Sequence, residues 1–420
     1  MFQIGLELSK GRVLYMSVTV FPYFQPIIET ATGRIAGYEA LARMKDSAGN
    51  VVSAGGLFSD HTIDVKERIV LDRDVRLKAL KQLEALPDDT FLSINISPEW
   101  LQYLESLENL PTLEMIKSLA ADSSKVVIEI TELDGDLDVI ERLVDRYREQ
   151  GFRVAIDDFG TGFSQLDRIA LLKPDIIKLD MTLIKSGAED DRRSSMIQML
   201  GELASKLGSK VLCEGVETED EYYLALSCNA VYVQGFLFSA ATEKMEAPDS
   251  TVVKVRNLLS HYRDRAIEAT SRSHWRADKI KAELLSLREV LRAANDDGDL
   301  EHFVAADHLL RFYLCDRLGN QISPNYENSD KGWIKDNSHN GYNWSWRPYF
   351  FELLGSADTQ SRLVFSEPYQ DIHTGLRAQT AVLFLDNSRI LLADLRDEQR
   401  ESDLFSRFSA MPAGWIPEID

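Results

Sequence analysis

The sequence predicts an α/β protein: a barrel of repeated βα units, a helical connector, and a smaller antiparallel α+β domain. Three observations predict it. Up to about residue 245, short apolar runs alternate with longer amphipathic stretches. Polar residues collect where those apolar runs end. Beyond residue 251 the spacing turns helical, and beyond residue 300 strand-like runs return with turn residues between them.

The strand-like runs of the first part are residues 23–28, 91–96, 126–130, 153–156, 176–179, 210–213 and 231–233, rich in Val, Ile and Phe. Helix-like stretches lie between them at 65–86, 136–150, 192–207 and 219–227. Strands that alternate with helices pair in parallel, because each crossover returns the chain to the same edge. The number of units favours a closed barrel over an open doubly wound sheet. A chain of 420 residues has room for a barrel of roughly 250 residues and one smaller domain.

From 251 to 294, apolar or small residues recur at Val252, Val255, Leu259, Tyr262, Ala266 and Ala269, and again at Ile280, Leu284, Leu287, Leu291 and Ala294. The stripe is interrupted at 273–276. It reads either as one or two helices lying on a domain, or as a connecting helix that also forms a dimer seam. Residues 295–299, Asn-Asp-Asp-Gly-Asp, read as a helix stop and hinge. Beyond them, 311–316, 362–366, 378–385 and 390–394 are strand-like. The expected organisation is a barrel at 1–248, a helical linker at 249–298 and an α+β domain at 299–420.

Charge excludes some functions. The 47 Lys and Arg against 68 Asp and Glu leave a net charge of −21. Such a surface repels polymeric nucleic acid and anionic membranes. No apolar run approaches the ~18 residues of a membrane span, and residues 1–20 do not read as a signal peptide. The three cysteines, Cys213, Cys228 and Cys315, form no disulfide or zinc pattern and suit a reducing cytoplasm. Of seven histidines, only His61 precedes residue 260. A metal in the first part must therefore be held by oxygen.

The oxygens are present. Glu39, Asn95, Glu129, Asp157, Asp158 and Glu214 mark one barrel mouth, where the carboxyl ends of parallel strands carry function. Crowded carboxylates repel one another, and divalent ions relieve that repulsion. All-oxygen donors select Mg²⁺ or Mn²⁺. The adjacent Asp157 and Asp158 can bridge two ions, the usual device for in-line attack on phosphorus. Lys178 can orient the water or offset developing charge. Gly160 and Gly162 follow the paired acids and allow a loop that closes over substrate. Any one of these acids, taken singly, reads as a solvated loop residue or a helix cap; their recurrence at strand ends does not.

These residues sit in motifs that resemble the EAL family, the phosphodiesterases of cyclic di-GMP. Tyr38-Glu-Ala-Leu-Ala-Arg43 resembles the family signature. In the family's order come Phe24-Gln-Pro-Ile27, Ser93-Ile-Asn-Ile-Ser97, Glu129-Ile-Thr-Glu132, Asp157-Asp-Phe-Gly-Thr-Gly162, Lys173-Pro-Asp-Ile-Ile-Lys-Leu-Asp180, Glu214-Gly-Val-Glu217 and Gln234-Gly235. The resemblance implies a modified TIM (β/α)8 barrel with one antiparallel strand, and hydrolysis of cyclic di-GMP to linear pGpG with Mg²⁺ or Mn²⁺. It implies that Glu39, Asn95, Glu129 and Asp157 ligate one ion. Asp157 and Asp158 would ligate the second, with Glu214 nearby and Lys178 on the water. Glu132 resembles the anchor of the loop after Asp158. Gln25, Arg43 and Gln234 resemble substrate contacts, Glu217 a supporting residue, and Asp180 either. Ca²⁺ is expected to support binding but inhibit turnover, because its looser coordination misplaces water and phosphate. Cys213 replaces the family's usual Ala, and its Pro is missing from Ser239-Ala-Ala-Thr242; neither removes a ligand. No GG[DE]EF sequence is present, so no cyclase domain is expected.

The last part resembles the PAS/Cache-like domain that follows the barrel in YkuI-type proteins. The carrying residues are Arg311 to Asn325, Asn343-Trp-Ser-Trp-Arg-Pro-Tyr-Phe350 and Ser366-Glu-Pro-Tyr-Gln-Asp371. Trp344, Trp346, Arg347, Tyr369 and Asp371 could form an amphoteric sensor pocket, or core aromatics with an Arg347–Asp371 ion pair. The expected whole is a cytoplasmic homodimer whose phosphodiesterase is set by its second domain. The alternatives are a non-catalytic cyclic di-GMP receptor and a protein-contact scaffold.

Overall fold

Strand β1 (Val20–Glu29) turns back on β2 (Ile35–Lys45) as an antiparallel hairpin, and β3 (Val51–Ser53) extends it beyond the barrel. Gly33 allows the hairpin turn: its φ is +71°, and an added Cβ would stand 2.9 Å from Val255 Cβ. Then come β4 (Phe91–Ile96), β5 (Val126–Thr131), β6 (Arg153–Phe159), β7 (Ile176–Leu179), β8 (Lys210–Cys213) and β9 (Tyr232–Val233). The sheet runs β1-β9-β8-β7-β6-β5-β4-β2 and closes through β1–β2. Strands β2 and β4 to β9 are parallel; β1 is antiparallel to both neighbours. This is the expected TIM-like barrel of eight strands with one reversed.

This computed structural model describes residues 19–96, 110–131, 137–159, 166–180, 182, 183, 185, 191–293, 303, 306–330, 332–355 and 362–397. The chain forms two compact units, Met1–Tyr262 and Arg263–Asp420. Among the described residues no helix is long and apolar enough to cross a membrane.

Six strands of the barrel donate one side chain each to a single apolar layer, and β1 closes it with a seventh. Ile27, Phe91, Val127, Ala155, Ile176, Leu212 and Tyr232 are all buried and packed together. They form a floor in the barrel interior, as inward-facing side chains do in this architecture. On β2 the matching position is Gly37. A Cβ there would meet the Phe91 ring at 2.6 Å, so that ring requires glycine beside it.

The outer helices follow from amphipathic spacing. Leu137–Glu149 buries Ile140, Leu143, Val144 and Tyr147 along one stripe. Glu219–Ser227 begins at a capping box, in which the Thr218 hydroxyl accepts from the Glu221 N–H and the Glu221 carboxylate accepts from the Thr218 N–H. Two elements fill in what the sequence reading leaves open. The 35–45 segment, rich in the helix formers Ala, Leu, Glu and Met, is a strand, because pairing with β1 and β4 overrides local preference. Val252–Ala293 is one uninterrupted helix of 42 residues. Ser273, at the apparent break, is buried and continues the stripe from Ala269 to Ala277.

In the second unit, β10 (Leu309–Asp316), β11 (Asn325–Ser329), β12 (Gly332–Asp336), β13 (Leu363–Phe365), β14 (Tyr369–Gln370), β15 (Arg377–Phe384) and β16 (Arg389–Arg396) form one antiparallel sheet. Its order is β12-β11-β10-β16-β15-β13, with β14 on β15. Alternation gives it two apolar faces. Phe312, Leu383 and Leu391 pack with Ala277, Ile280, Leu284 and Leu287 of the long helix. Tyr313, Val382 and Leu392 pack with Tyr349, Phe350 and Leu353 of the short helix Pro348–Leu354.

Candidate functional site

The polar cluster is built one step above the apolar floor. Side chains two residues apart on a strand share a face. Two residues beyond Gly37, Phe91, Val127, Ala155, Ile176, Leu212 and Tyr232 stand Glu39, Ser93, Glu129, Asp157, Lys178, Glu214 and Gln234. On the reversed strand the residue two before Ile27 is Gln25. Each strand that buries a floor residue therefore raises a polar residue into the barrel mouth.

Lys178 is the hub. It is 1% exposed, and its Nζ lies 2.6 Å from Glu214, 2.7 Å from Glu129, 3.0 Å from Asp157 and 3.6 Å from Glu39. Burial alone would lower its pKa, but Asp157, Glu129, Glu214 and Glu39 outweigh burial and raise it well above the ordinary value. The four carboxylates around Lys178 thus favour its charged form. Burial, then the neighbouring acids, pushes Glu129 and Glu214 upward. Glu39 is also buried, yet the Lys178 charge and donors from Gln234 and Asn95 bring it below the usual carboxylate range.

Around this hub the hydrogen bonds interlock. Asn95 Nδ2 donates to Glu39 Oε1 at 2.9 Å, and Gln234 Nε2 donates to Glu39 Oε2 at 2.8 Å and to Gln25 Oε1 at 3.1 Å. The Ser93 hydroxyl donates to Glu129 Oε1 at 2.5 Å. Ser93 thereby joins the cluster, although the sequence reading names no role for it. Its signal was available: it lies two residues before Asn95 on one strand.

Asp157 and Asp158 are neighbours that a regular strand would point to opposite faces. A register shift between Ile156 and Phe159 adds one residue to β6 against β7. Asp158 takes a left-handed φ of +55°, which Asp tolerates better than most residues. The result is that carboxylate oxygens of Asp157, Asp158 and Glu214 lie within 4.8 Å of one another. Asp158 stays solvent-accessible; partial burial, then Asp157 and Asp180, pushes its pKa up to about 6. Three converging carboxylates with no thiolate or imidazole fit hard divalent cations.

The other expected residues lie around this cluster. Arg43 lines a cavity of about 270 Å³ whose wall also includes Asn95 and Ile96. The Asp180 carboxylate accepts from the Thr182 N–H at 2.7 Å. Glu217 is exposed and paired with Lys185 at 3.0 Å, away from the hub's hydrogen bonds. Glu132, Gly160 and Gly162 lie outside the described residues. In the second unit, Trp344, Arg347, Tyr369 and Asp371 line one cavity of about 710 Å³. Trp346 is 62% exposed and stacks on the Arg347 guanidinium at 4.2 Å from its ring centre. Asp371 pairs with Arg311, not Arg347.

Residues 16–241 match the EAL domain family model. Residues 254–399 match the EAL-domain associated signalling protein domain. The uncharacterized EAL-domain containing protein YkuI of Bacillus subtilis (strain 168) is 26% identical over 384 residues, covering 90% of this chain and 94% of that protein. The cyclic di-GMP phosphodiesterase PA2567 of Pseudomonas aeruginosa is 30% identical over 225 residues, 51% of this chain but only 37% of that longer protein. The crystal structure of Bacillus subtilis YkuI in complex with substrate c-di-GMP and calcium matches with a TM-score of 0.82 at 26% identity, covering 91% of this chain and 97% of that one.

Proposed function

Because this chain belongs to the EAL domain family, we propose that it hydrolyses one phosphodiester bond of cyclic di-GMP, giving linear pGpG. The carrying observation is the convergence of Asp157, Asp158 and Glu214 beside the buried Lys178 hub. In this reading Glu39, Asn95, Glu129 and Asp157 hold one Mg²⁺ or Mn²⁺, and Asp157 and Asp158, with Glu214 close by, hold a second. When bound there, the ions would make a water more acidic and would offset charge on the leaving oxygen.

The chain's own groups do the rest. Water adds its hydroxyl to phosphorus, the ring P–O bond breaks, and the proton ends on the released oxygen. Lys178, whose charged form the surrounding carboxylates favour, orients the attacking water and offsets charge on the phosphate. Gln234 and Asn95 hold Glu39, and Ser93 holds Glu129, so the donor oxygens are preorganised. Gln25, Arg43, Gln234 and Asp180 are read as substrate contacts, Glu217 as a support and Glu132 as the anchor of the loop after Asp158.

We read residues 1–248 as the catalytic barrel, 249–298 as the linker and 299–420 as a PAS/Cache-like regulatory module in a cytoplasmic homodimer. The antiparallel order β12-β11-β10-β16-β15-β13, with a cavity of about 710 Å³ lined by residues of this unit, supports a sensory module. Turnover of cyclic di-GMP measured with Mg²⁺, Mn²⁺, Ca²⁺ and EDTA tests the catalytic reading. Activity is expected with the first two and not with the others. Tight binding without turnover in Mg²⁺ or Mn²⁺ would make the protein a receptor.

A further inference from the structure

Two of the three cysteines meet directly behind the polar cluster. Along β8 the side chains alternate. Leu212 belongs to the apolar floor and Glu214 to the polar cluster, so Cys213 between them points away from the barrel interior. There its Sγ lies 3.6 Å from the Sγ of Cys228, the residue that caps the end of the Glu219–Ser227 helix. Both are free thiols with no exposed surface. Cys315 belongs to the second unit and has no part in this pair.

The two ends of this contact differ in freedom. The Cys228 N–H donates to the Leu224 carbonyl at 3.1 Å, and its thiol donates to the Ala225 carbonyl at 3.1 Å. Gly201 packs against it so closely that an added Cβ would stand 1.9 Å from the Cys228 carbonyl oxygen. Cys228 is therefore clamped. Cys213 is the last residue of β8, and Glu214 lies just beyond the strand. To bond, the sulfurs must approach by about 1.5 Å, from 3.6 Å to the ~2.05 Å of a disulfide. With Cys228 clamped, that movement falls on Cys213 and on the residue joined to it. Glu214 is 2.6 Å from Lys178, and its carboxylate converges with Asp157 and Asp158.

We propose that Cys213 and Cys228 form a reversible disulfide when hydrogen peroxide oxidises the chain, and that the bond draws Glu214 out of the ion-binding cluster. One sulfur takes a hydroxyl from the peroxide: the O–O bond breaks, a sulfenic acid forms, and the thiol proton leaves in water. The second sulfur then displaces that hydroxyl: the S–S bond forms, the S–O bond breaks, and a second water carries off the second thiol proton. The thiols lose two electrons and the peroxide gains them. Burial selects a small uncharged oxidant over bulky thiols and disulfides. A partner sulfur at contact distance captures the sulfenic acid before it oxidises further. The disulfide itself stands on the cysteine geometry; its effect rests on the reading of Glu214 as part of the metal site.

The test treats the folded full chain with hydrogen peroxide, removes the peroxide, blocks remaining thiols and maps peptides by mass spectrometry without reductant. A peptide pair linked through Cys213 and Cys228 should appear, and dithiothreitol should abolish it. Mn²⁺ titration followed by electron paramagnetic resonance gives the second readout. The half-saturating Mn²⁺ concentration should rise at least about tenfold in the oxidised chain, the scale of disturbing a ligand's support, and return on reduction. Cys228→Ala should form no link and should bind Mn²⁺ equally before and after peroxide; if it does not fold, Cys228→Ser carries the test. Absence of the linked pair overturns the proposal. So does a linked chain with unchanged Mn²⁺ binding, an equal loss in the folded Cys228 variant, or no Mn²⁺ binding by the reduced chain. A reduced chain that binds Mn²⁺ but does not turn over cyclic di-GMP fails the phosphodiesterase reading alone, and both readouts still decide the switch.

Discussion

Lys178 Nζ lies 2.7 Å from Glu129 Oε2, across the intervening strand β6, and both side chains are 1% exposed. An ion pair this deep is held in place by further partners on each side. Glu129 also receives the Ser93 hydroxyl, and Lys178 also holds Asp157 and Glu214. Breaking such a pair by deleting one partner costs far more than the pair adds in net stability, because the remaining charge is left buried.

Lys178→Ala should therefore lower turnover by about 100-fold to 1,000-fold, the scale of losing one preorganised electrostatic stabiliser. The Michaelis constant should change much less. Steady-state kinetics check this, and wild-type turnover would show that the hub is not the catalytic centre.

Glu39→Ala should abolish turnover, since it removes a first carboxylate from the cluster and leaves the Asn95 and Gln234 donors without their acceptor. Ser93→Ala is the milder companion. It should cost about 10-fold to 100-fold, the usual effect of losing a group that orients a ligand. Equal rates in Ser93→Ala and wild type would reduce that hydrogen bond to packing.

Asp158→Asn separates charge from backbone. Asn tolerates the left-handed φ of +55° nearly as well as Asp, so the melting temperature should hold. The Mn²⁺ concentration needed for half-maximal turnover should rise by at least about tenfold. An unchanged metal dependence would remove Asp158 from the ion-binding set.

Gly201→Ala should destabilise the first unit by about 1–3 kcal/mol, the range for overpacking. A Cβ there would stand 1.9 Å from the Cys228 carbonyl oxygen. Denaturant melts of the two proteins give the difference directly, and equal midpoints would mean that the Asp191–Leu207 helix shifts freely to make room.

Where the chain is cut decides whether an isolated barrel is useful. A chain ending at Tyr262 matches the first compact unit and should be soluble and folded. One ending at Ala293 carries Ala277, Ile280, Leu284 and Leu287, which are buried in the second unit's core. That stripe would be exposed and should drive association. Light scattering distinguishes the two; equal behaviour would mean the stripe is harmless alone. If the second unit regulates, the shorter chain should also differ from the full one in turnover or oligomeric state.

By itself the sequence determined the alternation of βα units, the barrel they close, and the identity of the acids at the strand ends. Those signals are local: period, run length and position within a run. Tertiary structure decided what local signals cannot carry. The 35–45 segment is built from helix formers and becomes a strand only because β1 and β4 flank it. Adjacent acids converge only because a bulge in β6 and a left-handed Asp158 break the alternation that would separate them. Asp371 is committed by an arginine 60 residues earlier in the chain, and the half-buried Glu352 of the short Pro348–Leu354 helix is left with one buried oxygen unpaired. Pairing and burial are properties of neighbours in space, and the folded chain alone specifies those neighbours.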